Sequence, residues 1–348
     1  MNKFFKLFIV ILCLSQIYCR DFNFGTETTT TIATFPPIKD FSTADANEAW
    51  LVTEKGSLFH LFNDGQTNQE VKFETRIRQV YFLNVNEGWV IEENRQIWIT
   101  TNDGKDWSKR GMFTQDKPYH IVFADNQVGW IIGAFNIWLT EDGGNAWAMV
   151  YPNEQVSYDK LEAQPLSLFA VNSDIAWVGL TNSKVLRTVN RGKSWEEVSI
   201  PGKYDIHGLY SFSANECIVA ARNWGGLYQT TNGGKNWQQV VDTKANENLG
   251  IDSVSFVNKK IGWAVGQDFV TNVNNPETNR KVLLKTMDGG KNWARIELGF
   301  EQQQLTRVNF SNEKNGWIVG DKTVYTTTDT GRTWKEIFKI EDDKQSNK

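Results

Sequence analysis

The 348-residue sequence predicts an all-β chain closed into a single seven-bladed β-propeller. Three features carry the prediction: a recurring Thr-x-(Asp/Asn)-x-Gly-x-x-Trp turn, a second recurring Gly-Trp segment ahead of it, and a spacing of 39 to 56 residues between successive turn glycines. Units of roughly that length, each holding four short strands, are propeller blades.

The turn motif has six clear copies: Thr100-Asn102-Gly104-Trp107, Thr140-Asp142-Gly144-Trp147, Thr188-Asn190-Gly192-Trp195, Thr230-Asn232-Gly234-Trp237, Thr286-Asp288-Gly290-Trp293 and Thr327-Asp329-Gly331-Trp334. A worn seventh copy reads Asn63-Asp64-Gly65, with Asn68 in the Trp place. Upstream of each box stands a Trp, at Trp50, Trp89, Trp130, Trp177, Trp263 and Trp317, replaced by Ile218 in the fifth unit. Six residues before each box glycine lies a third column of large residues: Phe59, Trp98, Trp138, Leu186, Tyr228, Leu284 and Tyr325. Three columns therefore agree on seven units.

Within a unit the elements follow from the strand period. In the second unit, Gln79–Phe82 reads as strand A, Gly88–Ile91 as strand B and Ile97–Thr100 as strand C, with strand D starting near Trp107. The chain has 13% aromatics, 27 Gly and only 7 Pro, a composition that suits many short strands joined by tight turns.

The box itself reads as structural. An Asp or Asn oxygen accepts backbone N–H groups about two residues on, in an Asx-type turn. The fifth-position Gly supplies a positive φ, and the Trp packs beneath the turn. Asn102, Asn190 and Asn232 occupy the place that Asp142, Asp288 and Asp329 hold in the other copies. Asn keeps the acceptor but neither charge nor exchangeable proton, so the column is neither a calcium site nor a row of catalytic acids. Fourteen of the 15 Trp fall in the three columns and read as core; Trp224 is the exception.

The ends and the bulk charge bound the setting. Residues 1–19 read as a signal peptide, with Lys3 and Lys6 ahead of the apolar run Leu7–Ile17, which is too short to span a bilayer. Cleavage after Cys19 and lipid attachment to Cys19 are both open, although Tyr18 stands where a lipobox has a small residue. Residues 20–35 read as a linker or a closing strand, 36–340 as the propeller and 341–348 as a mobile tail. The protein is thus expected to be secreted, periplasmic or attached to the cell envelope. Cys217, alone in the domain body, reads as a buried small hydrophobe. A net charge of −4 without a basic block excludes a nucleic-acid footprint, and the membrane enters only through the lipid anchor.

The six boxes in register, with the Gly-Trp segments, resemble the Asp-box (BNR-repeat) propellers over residues 36 to about 338. Among single-domain members the chain is most similar to the photosystem II assembly/stability factor family. That resemblance implies a secreted or lumenal seven-bladed propeller, a non-enzymatic role in assembly, and a basic patch on one face, for which Arg76, Arg78 and Arg307 are available.

In a propeller strand A lines the central channel, and the D–A and B–C connections share one face, opposite the boxes. The long connections Tyr151–Pro165, Asp242–Gly250 and Gln267–Arg280 all belong to the D–A/B–C face, which is therefore the expected binding surface. Arg76, Arg78, His120, His207, Asp252 and Arg307 are expected around the channel mouth there, with Arg222 and Trp224 in the B–C turn of the fifth unit. An exposed Trp beside an Arg is a typical contact pair. The expected partner is another envelope protein or protein complex, with a glycan as the alternative.

The competing reading is a glycoside hydrolase of sialidase type, since sialidases use Asp-box propellers. The resemblance would then require an Arg-Ile-Pro motif near the start, where this chain has Phe35-Pro36-Pro37-Ile38. It would also require three arginines from separate blades, whereas Arg76 and Arg78 share one unit. The two-domain Asp-box glucanases would need a second propeller, and the repeats fill one. No His-Glu-x-x-His, Cys-x-x-Cys, Gly-x-Ser-x-Gly or phosphate-loop pattern is present, so no catalytic residue, metal ligand or cofactor is assigned.

Overall fold

In the computed structural model, the described residues contain 28 strands in seven four-stranded antiparallel sheets, each a simple meander of consecutive strands. The structure describes residues 38–62, 67–113, 117–152, 163–222, 224–241, 249–268, 280–299 and 304–340. The worn box at Asn63–Gly65, the leader with Cys19, the linker or closing strand at 20–35, the tail and most of the three long connections lie outside the described residues.

Blade 1 comprises β1 (Ile38–Thr43), β2 (Glu48–Thr53), β3 (Leu58–Phe62) and β4 (Thr67–Val71). The innermost strands of the other blades are β5 (Ile77–Phe82), β9 (His120–Phe123), β13 (Pro165–Ala170), β17 (Ile206–Ser211), β21 (Leu249–Phe256) and β25 (Leu305–Phe310). The second unit falls as its alternation predicts, with β6 at Gly88–Glu92, β7 at Gln96–Thr100 and β8 at Ser108–Met112. The ring closes between blades 7 and 1 without an exchanged strand among the described residues. There the Ile38 N–H donates to the Asp321 carbonyl (2.7 Å), Phe41 packs on Trp317 (5.9 Å between centroids), and Phe59 packs on Phe338 (5.7 Å).

The core lies between blades as well as within them. All six strand-B tryptophans are at most 1% exposed. Trp89 stacks face to face on Phe123 of the next blade (3.7 Å), as Trp263 does on Phe310 (3.5 Å) and Trp50 on Phe82 (4.7 Å). The box Trp then meets the same Phe edge-on: Trp147 on Phe123, Trp334 on Phe310, Trp107 on Phe82. Such stacked and edge-on pairs add to the burial of large apolar area. Cys217 is fully buried as a free thiol, and burial pushes its pKa well up. No helix among the described residues is long and apolar enough to cross a membrane.

The box turns depend on Thr more than the sequence suggests. Each box Thr hydroxyl donates to the Asx side-chain oxygen (2.8–3.1 Å) and accepts the N–H of the fifth-position Gly (2.9–3.1 Å). The Asx oxygen reaches backbone N–H groups three and four residues on, not two. Asp142 accepts from Asn145 and Ala146 (both 2.9 Å), and Asn190 from Ser194 (3.0 Å). The reason is the backbone: positions four and five both take positive φ, as at Asp103 (63°) and Gly104 (67°), which carries the chain past the nearer amides. The indole N–H of Trp107, Trp147, Trp293 and Trp334 closes the turn on the box Gly carbonyl.

Candidate functional site at the channel mouth

The box turns and A–B turns bind each other at one end of the ring. Asp103 N–H donates to Asn86 O, and Gly143 N–H to Gln127 O. At the other end the B–C turns meet the entry to strand A, where Ile77 N–H donates to Gly56 O and Arg222 N–H to Asp205 O. The D–A and B–C connections therefore share the face opposite the boxes.

At that end six of the seven A strands carry a β-bulge against strand B. In blade 2 the register jumps between Ile77 and Gln79; in blade 5 between Ile206 and Gly208; in blade 6 between Ile251 and Ser253. The extra residues in these three bulges are Arg78, His207 and Asp252. A bulge turns its extra side chain away from the regular alternation, and bulges recur beside binding sites. The next register position around the channel holds Asp40, Gln79, His120, Ser167, Gly208, Ser253 and Arg307. The mouth is thus a polar collar two residues deep.

Below it runs a cavity of about 600 Å³ lined by the A strands, with His120, His207, Arg222, Asp252 and Arg307 in its wall. Four of the expected mouth residues are brought together there, with Arg222 from the B–C turn. Two expected positions differ: Arg76 is exposed on the outer rim, and Arg78 turns its guanidinium onto the Tyr119 ring (5.1 Å) rather than into the cavity. Arg76 lies before β5 begins, and the bulge redirects Arg78 sideways. Trp224 is 54% exposed beside this mouth, with a left-handed φ of 71°. Holding a bulky side chain there costs about 1–2 kcal/mol.

The charges are built in pairs. Arg222 Nε lies 2.9 Å from Asp252, and Arg307 lies 3.1 Å from Asp40; both aspartates are below 10% exposed. Asp40 also accepts the Val80 N–H (3.0 Å), so one carboxylate ties blades 7, 1 and 2 together. Serines add to this: Ser42 accepts Phe82 N–H between blades 1 and 2, and Ser255 accepts Phe310 N–H between blades 6 and 7. Burial pushes Asp252 up to about 6, against the opposing pull of Arg222 and Arg307. Burial also lowers His120 and His207, the latter further disfavoured as a cation by Arg222. Both imidazoles are therefore neutral at pH 7. Among the described residues Arg76 and Arg78 face no carboxylate at ion-pair distance.

Asp40 was not singled out from the sequence. The available signal is the register: aligned on the strand-B Trp, Asp40 and Arg307 occupy one position in blades 1 and 7, which closure makes neighbours.

The fold, taken with its family, is that of a non-enzymatic assembly platform. The chain belongs to the family of photosynthesis system II assembly factor YCF48, whose model matches residues 110–251 and 245–344. Its relatives include the photosystem II stability/assembly factor HCF136 of Guillardia theta, 23% identical over 310 residues, covering 68% of this chain and 75% of that protein. The photosystem II assembly lipoprotein Ycf48 of a Nostoc species is 22% identical over 279 residues, with 68% and 78% covered. A solved structure of YCF48 bound to a D1 peptide superposes with a TM-score of 0.65 at 19% identity, covering 85% of this chain and 94% of that one, which shows the shared fold.

Proposed function

We propose that this protein holds a segment of another envelope or membrane protein at the channel mouth during assembly of a complex, outside the cytoplasm, attached through Cys19 or released after cleavage. The observation that carries the reading is the collar. It combines an open cavity, two buried Arg–Asp pairs, two arginines on the rim without a carboxylate among the described residues, and an exposed, strained Trp224. Arg and Trp are the side chains most often found at the energetic centre of protein contacts. The rim arginines suit a segment carrying carboxylates. The relative solved with a D1 peptide, and relatives described as lipoproteins or chloroplastic factors, support a polypeptide partner and an extracytoplasmic setting.

The sialidase reading is not favoured by the geometry. Three arginines would have to converge on a substrate carboxylate, yet Arg222 and Arg307 are already engaged by Asp252 and Asp40. The test is a pulldown from the envelope fraction with wild type and an Arg76/Arg78/Trp224 triple-alanine variant. The wild type should retain a protein partner that the variant loses. The same partner recovered by both would rule out this face, and turnover of a fluorogenic sialoside would restore the hydrolase.

A further inference from the structure

The opposite face holds a second cluster that the assembly role does not use. At the junction of blades 1 and 2, Glu48, His60 and Asp103 bring one imidazole nitrogen and two carboxylate oxygens within 4.8 Å of one another. His60 Nε2 lies 3.2 Å from Glu48 Oε2 and 3.8 Å from Asp103 Oδ1. With metal–ligand distances of about 2.0–2.2 Å for zinc, neighbouring donors in a tetrahedron stand about 3.3 Å apart. The cluster already has that scale.

Two further observations point to a cation. The Asp103 Oδ1 atom is out of reach of solvent and has no hydrogen-bond donor, although the side chain as a whole is 25% exposed. A buried carboxylate oxygen left so costs free energy unless something positive meets it. In addition, the His60 side chain is only 5% exposed and its ring is fixed by stacking on Trp50 (4.1 Å, 12° between planes). A ligand held in place in this way loses little freedom on binding.

The cluster also sits where the repeat fails. Blade 1 has Leu61 in the box Thr place and Asn68 in the box Trp place, so its sequence lacks the hydroxyl and the indole that the other boxes use. We propose that Glu48 and His60 of blade 1 and Asp103 of blade 2 bind a zinc ion that braces the first blade against the second. One imidazole with two carboxylates suits zinc better than calcium, which takes six to eight oxygens.

The experiment is calorimetric titration of the full chain, stripped with chelator, with zinc chloride, alongside Asp103→Asn, Glu48→Gln and a His120→Asn/His207→Asn double variant. Asn is tolerated at left-handed φ, and both single variants relieve carboxylate repulsion, so neither should unfold the blade. One zinc per chain is expected. Affinity should fall at least about tenfold in both single variants and stay unchanged in the double variant. Saturating zinc should raise the wild-type melting temperature by about 5 °C and leave that of Asp103→Asn unmoved. No zinc binding, binding unaltered by Asp103→Asn and Glu48→Gln, or calcium taken up in its place would each overturn the assignment.

Discussion

The two ends of the ring are built on different terms. At the box end, six turns repeat one hydrogen-bond pattern, so stability is distributed over interchangeable parts. At the mouth the seven blades present six different residue types at the collar: Asp40, Gln79, His120, Ser167, Gly208, Ser253 and Arg307 share a register but little chemistry. Repetition marks what holds the ring together, and departure from repetition marks what the ring can grip. Blade 1 is the informative exception, because its sequence lacks the box Thr and Trp, and Glu48 and His60 of that blade lie beside Asp103 of the next.

The largest expected effect lies at the box end. Gly104 has φ +67°, and a Cβ there would fall inside the Trp50 ring of the preceding blade. Gly104→Ala should destabilise by about 3 kcal/mol, combining left-handed strain with overpacking, as read by urea denaturation. A change below about 1 kcal/mol would mean that the turns do not pin the blades.

The mouth should respond to pH instead. A carboxyl raised to about 6 in the folded state keeps its proton where the unfolded chain has lost it. Its contribution to stability is full below about 3.8 and is lost as pH rises through 6. Comparing pH 4.5 with 7.5, Asp252→Asn should remove about 2 kcal/mol of acid-favoured stability. An identical pH profile in wild type and variant would contradict the burial assigned to Asp252.

Thr140→Val keeps the shape but leaves the Gly144 N–H without its acceptor and removes one of the three donors to the Asp142 oxygen. A loss of about 1.5 kcal/mol is expected for a buried donor left unpaired. Asp329→Asn should matter least. Asp329 accepts the Thr333 hydroxyl (2.6 Å), and the Asn190 amide donates to the Ser194 hydroxyl (2.8 Å) in the same geometry. Thermal melts should therefore show a smaller shift for Asp329→Asn than for Thr140→Val; the reverse order would make charge, not acceptor geometry, the working feature of the box.

The same contrast explains what was legible beforehand. The blades could be read because box, Trp and strand-C columns recur locally, and the strands of the second unit fall where the alternation places them. The role of the box Thr was hidden because it depends on two successive positive φ values, which no residue type signals when Asp103, Arg191 and Thr330 share the fourth position with glycine. The inward turn of Asp252 and His207, and the sideways turn of Arg78, follow from bulges that a period of two does not reveal. Asp40 meets Arg307, and Asp103 meets His60, only once the ring has closed and the blades have docked.

The central claim is that the partner is held at the collar and not at the boxes. Amide hydrogen exchange of the full chain, alone and with the partner recovered by pulldown, tests it most directly. Added protection should appear at the strand-A entries 206–208, 251–253 and 305–307 and in the turn around Trp224, with the six box turns unchanged. Protection confined to the box turns, with the entries unaffected, would contradict it.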